Sequence, residues 1–434
     1  LAGLTIAREV TRRGWSVAVL EAKRVAWNAS GRNCGFVAPG FAQSLDRVVE
    51  RVGRDHAKQL WALSDAGVAY VRNAIRETGM PGVKPVDGWL DVSKFDNAAA
   101  VERESALLQS FGIAVEQWPI ERVRSVLRSD RYFQALHFPR AFHIHALNYA
   151  LGLAAAAEQQ GARIFEDTPA LAIDPAGVRK RVFTPSARVR AAHVVLAGNT
   201  QLGALSTPVK GTVVPITTYV AVTKKLGDAL ARAIAFRGAV SDSRFADNHY
   251  RVVDGDRLMW AGGLSAWPVD PERFRQRFRD EIAHVYRQLR KVRIDQIWSG
   301  TMGFAVHRMP LIGEVSPGLW LATAFGGQGI NTTAMAADLI VSAVIEGDDR
   351  WKLFLPYELV WGGGFIGRAA LQLVYWSRQS RQTRRNKWMD GSRAWHDGVP
   401  EQAEPSSVTS TPISRVEPEA GSRRRSSSEE VDTR

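Results

Sequence analysis

The opening stretch Leu1 to Gly35, LAGLTIAREVTRRGWSVAVLEAKRVAWNASGRNCG, constrains the fold more than any other part of the chain. Gly3 precedes a helix-like run that Gly14 stops, Trp15 to Leu20 reads as an apolar strand, Glu21 follows, and the small-residue loop ASGRNCG fills Ala29 to Gly35. That order is the second half of a dinucleotide-binding βαβ unit, in which an acid at the end of the second strand accepts a hydrogen bond from a ribose hydroxyl. Gly3 is the last of the three glycines in such a unit, because Glu21 lies roughly 20 residues beyond the glycine turn. The strand and the two glycines that would precede it are not in the sequence, so the expectation is a fragment that begins about one strand late. An ordinary helix and strand in an unrelated α/β protein would fit these residues taken alone.

The sequence has 434 residues, 45% of them apolar, enough for two lobes with cores of their own. Cys34 is the only cysteine, which excludes internal disulfides and multi-cysteine metal sites and fits a reducing cytoplasm. The formal net charge is +13, but the arginines are scattered over helix faces such as Arg273 to Arg290, with no basic and aromatic stripe for nucleic acid. His143 and His145 alternate in a metal-like spacing, yet no third ligand lies near them in sequence, and no metal site is expected.

Taken in order, the chain predicts a long helix over Asp55 to Met80, a turn and strand over Pro81 to Ser93, and helices over Asn97 to Phe111 and Pro119 to Leu127. Ala146 to Gln160 reads as a helix ended by Gly161, with a strand at Ala162 to Glu166. His193 to Ala197 is a short buried strand running into Gly198. Thr212 to Thr223, Arg244 to Val253 and Arg257 to Ala261 suggest an antiparallel sheet with Pro271 to Leu289 as a helix upon it. The strand Leu319 to Ala324, the cluster FGGQGIN from Phe325 to Asn331 and a helix from Thr332 to Ile345 follow. Bare backbone amides between a strand and a helix favour an anion or a polarised carbonyl.

Together the segments LAGL, VLEA, WNASGRNCG, HALNYALGLAAAAEQQGARIFEDT, DNHYRVVDGDRLMWAGG, HRMPLIG and FGGQGINTTAMAADLI resemble the glycine oxidase and sarcosine oxidase superfamily of FAD-dependent amine oxidoreductases. The resemblance is closest to its gamma-glutamylputrescine oxidase-like members, and it covers most of Leu1 to about Arg378. It implies an α/β, two-lobe fold: a Rossmann-like FAD-binding lobe without its first strand (1–80, 145–211 and 299–347) and an antiparallel-sheet substrate lobe (81–144 and 212–298). Gly3, Glu21, Ser30, Gly31, Arg32, Asn33, Gly35, Ala170, Ala197, Gly198 and the run Gly326, Gly327, Gln328, Gly329, Ile330 and Asn331 would then line FAD. The first loop has no histidine, so FAD would be held noncovalently.

The implied chemistry is oxidation of an amine C–N bond by hydride transfer to flavin, with oxygen or another acceptor taking the electrons. Ala38 to Ser44 has no Arg or Lys and Asn331 is neutral, which points away from a simple amino acid and towards an amine or polyamine derivative, unless Arg251 or Arg308 holds a carboxylate from another side. Tyr250 and His307 are the catalytic candidates, and Tyr219, His249, Arg251 and Trp260 complete the expected pocket. A flavin-less remnant of the same fold and an NAD(P)-dependent dehydrogenase are the competing readings. At the far end, 348–378 is expected to be a helical segment docked on the protein rather than on a membrane, and 379–434, rich in Ser, Pro, Glu and Arg, a disordered tail.

Overall fold

The computed structural model describes residues 1–203, 205–242, 248–377 and 380–381. The expected tail at 379–434 thus lies almost wholly outside the described residues, as does the start of the strand expected from Arg244.

The dinucleotide-type strands are parallel and short. Ala18–Leu20 pairs with Arg163–Phe165, and Val194–Leu196 pairs with Leu319–Thr323, which also carries the antiparallel Leu311–Ser316. No described strand joins these two groups through hydrogen bonds. The helix Ala2–Arg12 lies beside both: an added Cβ on Gly3 would stand 3.6 Å from the Ala197 Cβ, and Trp15 meets the His193 ring at 6.4 Å.

The dominant element is a nine-stranded sheet in the order 294–304, 214–223, 257–265, 249–253, 239–242, 86–92, 135–143, 36–37, with 116–118 on the flank of 135–143. Two boundaries of the expected lobes therefore move. Strand Ile294–Phe304 belongs wholly to this sheet and crosses the expected break at 298/299, while Phe36–Val37, placed by sequence in the FAD lobe, pairs with Phe142 and His143. Ala172–Asp174, Lys180–Phe183 and Arg188–Ala191 form a separate antiparallel sheet.

Successive strand side chains point to opposite faces, and this decides what the large sheet does. On one face Tyr219, Ala221, Tyr250, Val252, Leu258 and Trp260 pack against Phe278, Ile282 and Val285 of the helix Arg275–Val285. The intervening residues His249 and Arg251 face the other way, towards the loop that contains Cys34 and Phe36.

Helix Gly329–Glu346 begins inside the glycine cluster, three residues earlier than the sequence predicts, and is buried nearly all round. It is apolar and long enough to cross a membrane by composition, but most of it lies inside the fold. Its alanines admit close neighbours. Helix Arg54–Thr78 approaches so nearly that a Cβ on Gly67 would come within 2.2 Å of the Asn331 carbonyl oxygen. Gly347, in the left-handed region, donates its N–H to Ala343 O and ends the helix.

Candidate active site

The glycine-rich segments separated in sequence converge. The Leu1 amino group donates to Ser30 Oγ at 3.2 Å, joining the start of the first helix to the first loop. Glu21 O accepts from Thr168 N, which brings the acid beside the loop holding Ala170, and the Glu21 carboxylate accepts from Lys23 N. Ala197 lies against Gly3. Beyond Gly198, Asn199 Oδ1 crowds Gly303, whose carbonyl accepts from Gly326 N. A continuous seam thus runs from Glu21 through Gly3, Ser30 and Ala197 to the glycine cluster.

The seam has the character of a dinucleotide site. No described side chain caps the N-terminus of helix Gly329–Glu346, and Cβ atoms added to Gly327 or Gly329 would meet nothing within 4 Å, so there is open space beside both glycines. Asn331 gives its Nδ2 to Ser64 Oγ at 2.9 Å and keeps a buried Oδ1 with no donor, a polar atom that demands a partner. Asn33 has a different task from the one expected of it. Its Nδ2 donates to Ala29 O and Ser30 O and its Oδ1 accepts from Gly35 N, so its side chain shapes the loop and has no N–H left over for a ligand's phosphate. Arg32 is tied to the sheet edge, donating to Ser299 O while its own carbonyl accepts from Trp298 Nε1.

The expected pocket divides in two. Tyr219, Tyr250 and Trp260 are a correction: they lie fully buried on the helix-covered face of the sheet, away from the loop. Tyr250 stacks on Trp260 with ring centroids 4.5 Å apart and shares hydrogen bonds with the hydroxyls of Tyr286 (2.8 Å) and Tyr132 (3.1 Å). Strand parity, counted from Arg251, separates these aromatic residues from the loop-facing ones. His307 is also corrected. Its Nδ1 accepts from Met309 N and its Nε2 meets Glu358 O, so both ring nitrogens are spent on backbone. Tyr250→Phe is accordingly expected to cost about 1–2 kcal/mol of stability through the buried hydroxyl network, with kcat/KM unchanged. Thermal unfolding and steady-state rates of the same preparation check both halves.

His249 and Arg251 do face the loop. His249 Nδ1 bonds Ser241 Oγ at 2.7 Å, Trp89 Nε1 donates to the same hydroxyl at 2.9 Å, and Phe36 meets the His249 ring edge-on. Arg251 Nη1 lies 2.9 Å from His143 Nδ1, and His143 Nε2 bonds Arg237 O. With the guanidinium charged, His143 must be the Nε2–H tautomer, accepting through Nδ1. Burial, reinforced by Arg251, pushes His143 down to about 4, and burial pushes His249 down to about 4 as well, so both rings are neutral near pH 7. Burial likewise raises the Cys34 thiol to about 12, which leaves it a poor nucleophile for a covalent flavin link. His145 is structural: its Nδ1 caps the helix Ala146–Gln159 by accepting from Asn148 N.

Among the described residues two buried cations lack a carboxylate partner, Lys180, which donates to Gly177 O, and Arg251. Arg8 bonds Glu9 and Glu77, and Lys94 lies 2.7 Å from Asp242. Arg251 is 7% exposed, its Nε has no hydrogen-bond partner, and no carboxylate pairs with it among the described residues. Burial lowers its pKa to about 10, against smaller opposing pulls from Cys34 and the Asp254 carboxylate, so it remains a cation. Sequence reasoning does not name Ser241, and it weighs His143 only as a metal ligand. The signal that would have found them is strand pairing, which sets Ser241 opposite His249 and His143 opposite Phe36.

The model of the FAD dependent oxidoreductase family, DAO, matches residues 1–343. The chain belongs to that family. As a DAO-family FAD-dependent oxidoreductase it uses FAD and acts on small amine or amino acid substrates. It is similar to the gamma-glutamylputrescine oxidoreductase of Escherichia coli, 28% identical over 389 residues that cover 87% of this chain and 90% of that protein. A probable oxidoreductase, OrdL, of Haemophilus influenzae is 28% identical over 384 residues, 86% of this chain and 87% of the other. Among solved structures, glycine oxidase from Geobacillus kaustophilus superposes with a TM-score of 0.70 at 18% identity, covering 82% of this chain and 95% of that one. L-proline dehydrogenase from P. horikoshii gives 0.68 at 16% identity, over 82% and 94%. The structural likeness establishes the DAO-family fold, a curled sheet beside a dinucleotide-binding layer.

Proposed function

We propose that this DAO-family protein oxidises the C–N bond of a polyamine derivative that bears a carboxylate, with Arg251 receiving the carboxylate. The observation that carries the proposal is the buried Arg251 cation on the loop-facing side of the sheet, with which no carboxylate pairs among the described residues. A buried charge without a counter-ion is costly, and a substrate carboxylate would supply one. The similarity to a gamma-glutamylputrescine oxidoreductase points the same way, since a γ-glutamyl group carries a carboxylate remote from the reacting nitrogen.

The residues of the seam fit FAD: Glu21 for a ribose hydroxyl, the start of the first helix and Ser30 for the pyrophosphate, and Gly326 to Asn331 for the polar edge of the ring. FAD held there would supply an acceptor for the hydride equivalent from the carbon beside the amine nitrogen, leaving an imine that water would hydrolyse. The chain's own residues orient and exclude. Arg251 fixes one end of the substrate, His143 holds the guanidinium through Nδ1, and neutral His249 with Phe36 walls the space without adding a charge that would repel an amine.

Anaerobic addition of a γ-glutamylated diamine to the purified protein is expected to bleach its flavin absorption faster than equal concentrations of the free diamine or of glycine. Faster bleaching by the free diamine would overturn the carboxylate assignment. A protein without flavin bands after incubation with FAD would overturn the enzyme reading itself.

A further inference from the structure

One ring nitrogen of His249 is committed and the other is not. Pairing sets Ser241 opposite His249 and Ala239 opposite Trp89, so strand parity puts Trp89, Ser241 and His249 on one face of the sheet. Trp89 stacks on Phe138 with ring centroids 4.6 Å apart, and its Nε1–H donates to Ser241 Oγ at 2.9 Å. Ser241 Oγ also lies 2.7 Å from His249 Nδ1. A hydroxyl has one hydrogen and two lone pairs, and an indole N–H can only donate. If His249 Nδ1 carried the ring proton, Ser241 Oγ would receive two donors, and its own hydrogen would have no acceptor among the described residues although the side chain is buried. Ser241 therefore donates to Nδ1, and the proton of the neutral ring sits on Nε2. His249 is half-buried, and Nε2 has no partner among the described residues and is not enclosed by them, so its N–H opens to the space on the loop-facing side.

We propose that His249 is a specificity residue whose Nε2–H donates to the amide carbonyl of a γ-glutamylated amine, with Ser241 and Trp89 as the positioning residues that set its tautomer; the assignment rests on the reading of Arg251 as the carboxylate receiver. His249 and Arg251 are two residues apart on one strand and point to the same side, which separates their backbones by about 6.6–6.8 Å. In a γ-glutamyl group three carbons separate the α-carboxylate from the amide carbonyl, a span of the same order, so one group can meet both side chains. The donor suits no other polar part of such a substrate. A protonated amine has no lone pair with which to accept, and a neutral amine must keep its lone pair to form the C=N bond as hydride leaves the neighbouring carbon. An amide oxygen taken out of water, by contrast, needs a donor, and a neutral donor adds no charge beside the Arg251 cation.

The test is binding of two probes that carry no amine to oxidise, followed through the absorbance of the bound flavin: the monobutylamide of glutaric acid, with carboxylate and amide, and decanoate, the same chain with methylenes in place of the amide. His249→Phe should weaken the amide probe by about tenfold and decanoate by less than about twofold. His249→Gln places an amide N–H near the position of Nε2 and should restore the affinity to within about threefold of wild type. Ser241→Ala should weaken the amide probe by about threefold and spare decanoate, because the ring is then free to carry its proton on Nδ1. Arg251→Met should weaken both probes. A His249→Phe or Ser241→Ala protein that binds the amide probe as wild type does, or that loses both probes equally, overturns the assignment. So does a His249→Phe protein that purifies without flavin, since His249 would then be a flavin contact. Arg251→Met protein that binds both probes as tightly as wild type fails the carboxylate reading and takes the His249 assignment with it, a failure told apart from the others by the variant in which it shows.

Discussion

Gly35→Ala should strip the protein of FAD and cost it several kcal/mol of stability, while Gly14→Ala should cost about 1 kcal/mol and leave the flavin in place. Both glycines hold nearly the same backbone angle, φ +78° at Gly35 and +77° at Gly14, so the intrinsic penalty of the left-handed region is common to the pair. Space separates them. A Cβ at Gly14 would meet nothing within 4 Å, whereas one at Gly35 would fall 1.9 Å from the carbonyl oxygen of Ile144. Neither partner can give way cheaply. Gly35 N is held by Asn33 Oδ1, and Gly35 O accepts from Ile144 N at 2.8 Å. Any shift therefore displaces the loop from Ala29 to Gly35 and with it Ser30 and Cys34. Flavin absorbance per protein and the thermal midpoint of the two variants, measured side by side, check the claim. Equal losses in both would show that strain at φ, and not the Ile144 contact, sets the effect.

The two alanine variants also illustrate what the sequence can and cannot display. That ASGRNCG was a small-residue loop, that FGGQGIN ran into a helix, and that the strand before Glu21 ended at an acid were all legible, because turn chemistry and helix termini depend on neighbours in the chain. The convergence of these segments on one seam was legible only through the family resemblance. The pocket was the part least accessible. Tyr250 and Arg251 are adjacent in sequence and lie on opposite faces of the sheet, and a single-residue error in parity exchanges core for site. The aromatic residues looked like a cage for an amine because side-chain type was read without its direction. Their true partners, Tyr132, Tyr286 and Phe278, come from separate segments of the chain. His307 failed for a related reason: its two ring nitrogens are occupied by Met309 N and Glu358 O, one near and one remote. Conversely, His249 and Arg251 emerge as neighbours of Cys34 and His143 only when the pairing of 249–253, 239–242, 86–92 and 135–143 is known.

Arg251→Met should lower kcat/KM for a γ-glutamylated diamine by about a hundredfold or more, the loss of a buried charge-assisted contact of roughly 3 kcal/mol. The rate with the free diamine should change by less than about threefold, since that substrate presents nothing for the guanidinium to hold. Stability separates this outcome from simple damage to the fold. Removing one member of a buried ion pair is strongly destabilising, but Arg251 has no described carboxylate to abandon, and methionine fills a similar volume without a charge to desolvate. The cost is confined to His143, whose Nδ1 loses the Arg251 donor at 2.9 Å while its Nε2 keeps Arg237 O. Losing this charge-assisted contact costs about 1.5–3 kcal/mol, offset in part by the relief of burying one cation fewer. The thermal midpoint should therefore stay within a few degrees of wild type and flavin content should not fall. A structural Arg251 would reverse the pattern: the midpoint would drop, flavin would be lost, and both substrates would suffer alike. Measuring the two substrates and the unfolding midpoint on one preparation decides whether the buried cation on the inner face of the sheet is there for the fold or for the ligand.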